Sequence, residues 1–165
     1  MTEFDTTRDR LDRIAERMPG YPLAPMRLAR MAYHLQKNLR DRANAVLKEY
    51  DLVDASHTVL AILYGSVDET STASNLGKAC HEKPANLTRI CDELVARGLI
   101  TRGPAPGDRR GVLISLSDQG RTLVEEVLPA LSAALAQAYA DLSPAELAQL
   151  EQLNTRVLRR LTSQT

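Results

Sequence analysis

The 165-residue sequence lacks the features that mark several classes of protein. It has no Trp, one Phe and two cysteines, and its 21 Lys and Arg balance its 21 Asp and Glu. Two cysteines are too few for the disulfide framework of a small secreted domain. A net charge of zero argues against a histone-like basic protein, but a local basic surface can still bind nucleic acid.

Targeting segments and catalytic motifs are also missing. The opening "MTEFDTTRDRLDR" is too charged for a signal peptide, and no apolar run is long enough to span a bilayer. We therefore expect a cytoplasmic protein with no membrane partner. The sequence has no G-x-S-x-G, phosphate loop or H-E-x-x-H, and no spacing of His and Asp that forms an acid–base pair. We therefore expect that the protein is not an enzyme and that it has no catalytic residue, no cofactor and no metal site.

Charge is sorted along the chain. Residues 75–110 contain seven basic and four acidic side chains, whereas residues 51–74 contain four acidic side chains and neither Lys nor Arg. Binding of an anionic partner depends on such local charge rather than on the net charge. The basic segment is therefore the candidate binding region.

Apolar residues recur at steps of three and four in most of the chain, which is typical of amphipathic helices. This spacing and the capping residues predict helices over 26–50, 54–66, 73–82, 84–97 and 117–142, and a last helix from the capping box "SPAE" at 143–146. Residues 2–20 are predicted to be a mobile arm or a short helix, and "VDETST" a polar loop. Short strands are predicted at 99–101 and 112–116. The fold class is mostly α (α+β).

Two short helices followed by a hairpin are the arrangement of a winged helix-turn-helix. In that motif the second helix lies in the major groove of DNA and presents its first turns to the bases. The stripe Leu87, Ile90, Cys91, Leu94 and Val95 is predicted to face the core, and Asp92 and Glu93 suit the end that leaves the groove. The candidate DNA contacts on this helix are Pro84, Ala85, Asn86, Thr88 and Arg89. Asn can bond adenine and Arg guanine in bidentate fashion, and Thr88 is the candidate for a phosphate contact.

The connection "RGPAPGDRRG" is longer than a tight hairpin requires. A long loop could reach the neighbouring minor groove, where an arginine at the tip suits the negative potential. Asp108 is placed to accept a charge-assisted hydrogen bond from Arg110 and so to aim it. Arg109 is either a phosphate contact or a solvated charge.

The segments "NLTRICDELVARGLI" and "DRRGVLISLSDQG" resemble the signature of MarR-family regulators. Asp108, Arg110, Leu116, Ser117 and Gly120 match its pattern of D-x-R, an apolar strand and L-[ST]-x-x-G. "YHLQKNL", "NLTRICDEL" and "EEVLPAL" resemble the EmrR/MprA-type branch of efflux-pump repressors. The resemblance implies a homodimeric DNA-binding repressor whose first and last helices form the dimer, and which a small aromatic or phenolic ligand releases from DNA.

The expected organisation is an N-terminal arm (1–20), a helical dimerisation region (21–50 and 117–165) and a winged helix-turn-helix lobe (51–116). The outer helices carry more apolar surface than one chain can cover, which favours a dimer on a near-palindromic operator. One further hypothesis is an effector site where His and Arg pair with a carboxylate or phenolate and Tyr and Met cover a ring. Its candidate residues are Met26, Arg30, Tyr33, His34, His57 and Tyr64.

Two alternatives stay open at this stage. Cys80 and Cys91 could sense oxidants, although a sensor needs an exposed thiol of low pKa and buried small hydrophobes are the commoner case. A winged helix could also bind proteins rather than DNA, but such a module would not need Asp108 and Arg110 at the wing tip.

Overall fold

The computed structural model describes residues 3–105 and 108–163, and the side chains of residues 3 and 108–110 lie outside that description. The chain forms two compact units, Met1–Asp54 and Ala55–Thr165. The helices are α1 (Glu3–Arg17), α2 (Leu23–Glu49), α3 (Asp54–Tyr64), α4 (Ala73–Cys80), α5 (Pro84–Ala96), α6 (Asp118–Ala136) and α7 (Pro144–Thr162). The strands are β1 (Thr70–Thr72), β2 (Ile100–Ala105) and β3 (Asp108–Leu116). The mostly helical winged-helix fold predicted from the sequence is confirmed.

In the first unit, α1 packs along α2. Of the two predictions for residues 2–20, the structure has the helix. Thr7 Oγ1 lies 3.2 Å from His34 Nε2, and the Phe4 ring meets the His34 ring edge-on. Arg27 and Asp12 form an ion pair between the same two helices. These contacts give the polar N-terminal sequence a fixed place on α2.

Side-chain caps set the helix starts of the second unit. Thr72 Oγ1 accepts a hydrogen bond from Asn75 N at 3.3 Å, which starts α4 at the predicted residue. Ser143 and Glu146 form the predicted capping box at the start of α7. Each cap satisfies backbone N–H groups that the first helical turn leaves without a partner.

The α5 helix buries its apolar stripe, with one exception. Leu87, Ile90, Cys91 and Leu94 are buried, but Val95 is 40% exposed, so the prediction that Val95 faces the core was wrong. The buried stripe stops at Leu94, because α5 ends only two residues later, at Ala96. Gly98, with a φ of 71°, donates to Val95 O and Leu99 N donates to Leu94 O, which is a Schellman ending.

The segment predicted as a polar loop contains the strand β1. It pairs antiparallel with β3, from Thr70 opposite Ser115 to Thr72 opposite Leu113. The strand order is β1-β3-β2, so β3 is central. Three polar residues show no apolar alternation, and their pairing depends on a strand more than 40 residues away, so local pattern reasoning misses them.

The hairpin is longer than predicted, because residues assigned to a loop are in strands. The β2–β3 ladder runs from Ile100 opposite Leu116 to Ala105 opposite Asp108, with an irregularity between Pro104 and Ala105. A proline normally excludes a strand, but β2 lies at the sheet edge, where a missing N–H is tolerated. The wing therefore reaches outward as a two-stranded ladder rather than as a long loop.

The buried core of the second unit joins the short helices to the sheet. Its members are Val59, Leu60, Leu63, Leu76, Leu87, Ile90, Cys91, Leu94, Leu99, Ile100, Ile114, Leu116, Val124, Val127 and Leu131. On β3, Ile114 and Leu116 are buried in this core, whereas Val112 is exposed because it lies farther out on the wing. Among the helices that the structure describes, none combines the length and the apolar character needed to cross a bilayer.

Candidate nucleic-acid interface

The outward face of α5 carries the predicted base-reading residues. Pro84, Ala85, Thr88 and Arg89 are exposed and Asn86 is half-buried. Thr88 Oγ1 donates to Pro84 O at 2.9 Å, which leaves the hydroxyl oxygen able to accept. The proline at the first helical position suits this start, because its missing N–H would have no partner within the helix.

Four polar side chains form a hydrogen-bonded row along this face, and the first of them, Glu82, lies just before α5. Asn86 Nδ2 donates to Glu82 Oε2 at 2.6 Å, and Arg89 Nη2 donates to Asn86 Oδ1 at 3.1 Å. Arg89 Nη1 also donates to Glu93 Oε1 at 2.5 Å. The sequence placed Asn86 and Arg89 outward but did not show that they contact each other and two carboxylates.

A residue that the sequence did not single out connects the wing to α5. Arg102 of β2 donates from Nη1 to Asp92 Oδ1 at 2.6 Å and from Nη2 to Thr88 O at 3.3 Å. The Arg102 side chain is 34% exposed, so this ion pair adds little to stability but restricts how the two elements sit together. The signal in the sequence was a basic residue directly after the predicted strand 99–101, ten positions from Asp92 of the preceding helix.

The signature residues Leu116, Ser117 and Gly120 form a structural joint. Ser117 N donates to Leu99 O at 3.1 Å and Ser117 Oγ donates to Gly98 O at 2.6 Å. Ser117 Oγ also accepts from Gly120 N at 2.9 Å and so caps α6. A Cβ on Gly120 would overlap the Leu99 carbonyl oxygen. The motif therefore fastens the base of the wing to the end of α5.

The backbone of Asp108, Arg109 and Arg110 lies in the first residues of β3. Their side chains are outside the described part of the structure, so the brace between Asp108 and Arg110 stays a prediction. The strand assignment places the three residues at the outer end of the ladder, where Asp108 pairs with Ala105 of β2.

The predicted effector contacts fall on two helices. Met26, Arg30, Tyr33 and His34 lie on α2, and His57 and Tyr64 lie on α3. Tyr33 is 56% exposed and its ring meets His34 edge-on, while His34 is in contact with α1 through Thr7.

Tyr64 takes part in an ionic network at the start of α6. Tyr64 Oη donates to Glu125 Oε1 at 3.3 Å, and the negative charge of Glu125 is the main reason that the pKa of Tyr64 is raised. One turn earlier on α6, Arg121 makes a fork with Glu69: Nε lies 3.0 Å from each carboxylate oxygen and Nη2 is 2.7 Å from Oε2. The hydrogen bonds from Arg121 lower the pKa of Glu69.

The Arg121–Glu69 fork holds a bend that precedes β1. Asp68 and Glu69 both have positive φ values, 54° and 53°, which are uncommon for residues with a side chain. The fork fixes this turn against α6 and so determines where β1 begins. No local pattern predicts this fork, because the partners lie 52 positions apart in the chain.

The cysteines do not have the properties of a redox sensor. Cys91 is buried and Cys80 is half-buried. Burial raises the pKa of Cys80 to about 11, and burial is also the main reason that the pKa of Cys91 is raised. Because the thiolate is the reactive form and a raised pKa keeps both thiols protonated at neutral pH, these positions argue against the redox alternative. Within residues 3–105 and 108–163, no group of three or more His, Cys, Asp and Glu side chains could hold a metal ion.

Comparison with known proteins identifies relatives by sequence and by fold. A model of the MarR family matches residues 50–111. The transcriptional repressor MprA of Escherichia coli K12 is 33% identical over 147 residues, which cover 89% of this chain and 84% of MprA. A crystal structure of a mutant of MarR from E. coli with operator DNA superimposes with a TM-score of 0.71 at 30% identity, over 79% of this chain and 93% of that one. AbsC, a MarR-family regulator from Streptomyces coelicolor, gives a TM-score of 0.76 at 20% identity, over 82% of this chain and 93% of that one, and supports the fold alone.

Proposed function

Because this chain belongs to the MarR family, as a DNA-binding transcriptional regulator and not an enzyme, we propose that it is a homodimeric repressor released from its operator by a small aromatic, phenolic or carboxylate effector. The observation that carries the proposal is the outward face of α5, where Asn86 and Arg89 lie side by side beneath a wing that Arg102 ties to the same helix. As a regulator that binds DNA, the protein would work in the cytoplasm.

In this proposal α5 enters the major groove. Asn86 would bond adenine and Arg89 guanine, while Pro84, Ala85 and Thr88 approach the sugar–phosphate backbone. The outward ends of these side chains are accessible, and the apolar stripe on the opposite side anchors the helix in the core. The helix can therefore be inserted without uncovering its own core.

The wing would reach the adjacent minor groove. Asp108 belongs to the last of the six pairs of the β2–β3 ladder, counted from the base of the wing. A paired ladder is stiffer than a loop, which suits an arginine that must enter a narrow groove. Arg110 would supply that cation, with Asp108 as its brace and Arg109 on a phosphate.

The exposed apolar residues on α2 and α7 support a homodimer. On α7, which the structure describes in full, no residue is buried. The large apolar side chains exposed on these two helices are Leu28, Met31, Leu35, Leu147, Leu153, Val157, Leu158 and Leu161. Large apolar side chains exposed in such number on a helix indicate an interface. A twofold dimer would place two recognition helices about 34 Å apart, on successive major grooves.

An effector acts in this scheme by favouring a dimer whose recognition helices no longer match both half-sites. It can do so only if it binds that arrangement more tightly. Met26, Arg30, Tyr33 and His34 on α2, and His57 and Tyr64 on α3, remain the proposed contacts. His57→Ala should weaken binding of a benzoate-type probe, measured by calorimetry, and an unchanged affinity would remove His57 from the site.

The decisive experiment selects fragments of the source genome that bind the purified protein. We expect a near-palindromic fragment, bound with an affinity that falls steeply as the salt concentration rises, through counterion release. Arg110→Ala should weaken operator binding with little loss of stability. Arg89→Ala should relax sequence preference by about 1–3 kcal/mol at one position of each half-site.

Arg13→Ala, an exposed arginine of α1, is the matched control and should change neither quantity. If no duplex is preferred over bulk competitor at modest ionic strength, the proposal is wrong and the interaction-module alternative returns.

A further inference from the structure

The row of four side chains along the start of α5 and the connection before it places both candidate base readers between two carboxylates. Its order is Glu82, Asn86, Arg89 and Glu93, with successive hydrogen bonds of 2.6, 3.1 and 2.5 Å. Asn86, Arg89 and Glu93 lie on one face of α5 at steps of three and four residues. Glu82 lies two residues before α5 begins, in the connection from α4, and accepts from Asn86. The two carboxylates therefore hold the readers from the two ends of the row.

The row determines which way the Asn86 amide points. A carboxylate accepts hydrogen bonds and a guanidinium donates them. Only the orientation with Nδ2 towards Glu82 and Oδ1 towards Arg89 satisfies both neighbours, because the reverse would set donor against donor and acceptor against acceptor. The two contacts therefore select one of two amide orientations of nearly equal shape.

The readers keep free hydrogen-bonding capacity after these contacts. An amide has two N–H donors and two acceptor positions, and a guanidinium has five donors. Within the row Asn86 uses one donor and one acceptor, and Arg89 uses two donors. Asn86 retains the donor and acceptor that an adenine edge requires, and Arg89 retains donors for guanine. The row can thus persist while the bases are read.

We propose that Glu82 and Glu93 are positioning residues that set Asn86 and Arg89 for base reading and so raise the ratio of operator to non-specific affinity. The inference rests on the proposed role of α5 as the recognition helix. Ordering a long side chain before binding reduces the entropy lost on forming the base contact. The same restraint keeps the Arg89 guanidinium from reaching the phosphates that supply non-specific affinity.

A simpler effect of the carboxylates must be separated from this one. Negative charge near DNA repels every duplex alike, so its removal would raise operator and non-specific affinity by the same factor. Restraint of Arg89 acts on the ratio instead. A variant that keeps the charge but withdraws the carboxylate distinguishes the two.

The experiment therefore compares Glu93→Asp with Glu93→Gln. Affinities for the selected operator fragment and for a mixed-sequence duplex are measured by fluorescence anisotropy at several salt concentrations. Glu93→Asp keeps the charge and shortens the side chain, so we expect the affinity ratio to fall about 3- to 10-fold. We also expect the salt slope for the mixed-sequence duplex to steepen by about one phosphate, because Arg89 becomes free to reach the backbone.

Matched substitutions complete the test. Glu82→Asp should lower the ratio through Asn86, and Glu16→Asp, at an exposed site on α1, should leave both affinities unchanged. A wild-type ratio in both Glu93→Asp and Glu82→Asp, or an equal rise of both affinities in Glu93→Gln with no effect of Glu93→Asp, overturns the inference. The proposed function would fail separately, through a wild-type protein that shows no operator preference.

Discussion

Helices α5 and α7 have similar amphipathic sequences and opposite exposures. On α5, Leu94 is 1% exposed and Ile90 is fully buried. On α7, Leu153 is 48% exposed and Val157 is 59% exposed. The apolar period of a helix therefore identifies the face that seeks burial, but it does not say whether the same chain or another provides the cover.

This difference separates two roles within one small protein. The apolar side of α5 is closed inside its unit, so its polar side can be presented to DNA on a rigid base. The apolar side of α7 remains open, which is what a dimer interface requires. Substitutions on the closed helix should act on folding, and those on the open helix should act on assembly.

The largest effect on stability is expected at Gly120, in the joint that attaches the base of the wing to the end of α5. In Gly120→Ala the new methyl group would overlap the Leu99 carbonyl oxygen, a backbone atom that cannot move without shifting the end of α5. We expect a loss of about 3 kcal/mol or more in the free energy of unfolding, measured by urea denaturation.

Gly103→Ala is the control for that change. Gly103 lies on β2, and a Cβ there meets no atom within 4 Å. This variant should match the wild type within about 1 kcal/mol. Equal stability of the two variants would show that the joint at Leu99 is not tightly closed.

The next prediction compares leucine deletions on the two helices. Leu94→Ala should lower the free energy of unfolding by about 2–3 kcal/mol at any protein concentration, because it leaves a cavity inside one chain. Leu153→Ala should instead weaken dimerisation, and its unfolding midpoint should depend more strongly on protein concentration than that of the wild type.

Sedimentation equilibrium provides the second measurement for this pair. A larger dissociation constant for Leu153→Ala, with Leu94→Ala unaffected, would confirm the assignment. If both variants assemble as the wild type does, the open face of α7 is not part of the interface.

How far the sequence predicts the molecule follows the same division. Caps and short-range periods fixed the starts of α4 and α7, because the groups that interact are three residues apart. The strand β1 and the Arg121–Glu69 fork were missed, because their partners lie more than 40 residues away and no local pattern announces them. The outward position of Asn86 and Arg89 followed from the helical period, but their mutual hydrogen bonds depend on rotamers, which a sequence does not specify.

The wing illustrates the same limit. Gly103 and Pro104 were interpreted as loop residues, since both are unfavourable in strands. Their position at the sheet edge removes the objection to Pro104, and only the strand order reveals that edge. The contact of Arg102 with α5 likewise depends on the longer ladder, because Arg102 is one of the residues that the structure adds to β2 and it lies within reach of Asp92.

A smaller effect is expected when the link between α5 and the wing is cut. Asp92→Asn removes the carboxylate that holds Arg102. Loss of a negative charge next to DNA should strengthen binding, so a weaker operator complex would reveal the positioning role. We expect operator affinity to fall about tenfold, which corresponds to about 1.4 kcal/mol, in the same anisotropy assay.

Arg102→Lys tests that interpretation. It retains the positive charge but not the fork that contacts both Asp92 and Thr88 O. It should weaken the operator complex to a similar degree. A gain in operator affinity for Asp92→Asn would mean that the carboxylate contributes only repulsion.

The smallest effect concerns how the stability of the second unit depends on pH. Arg121 holds the pKa of Glu69 below its ordinary value of 4.5. A lowered carboxyl pKa contributes stability at pH values above the pKa of the unfolded state, and that contribution is lost as the pH falls through the pKa of the folded state.

Glu69→Gln should therefore lower the melting temperature by about 1–2 °C near pH 7, where both partners are charged, because an exposed pair contributes little. The difference from the wild type should disappear towards pH 3, as the wild-type carboxylate also takes up its proton. Glu16→Gln, an exposed position on α1, should show no such pH-dependent difference. A gap between wild type and Glu69→Gln that is constant from pH 7 to pH 3 would assign the effect to local backbone strain at Asp68 and Glu69 rather than to the ion pair.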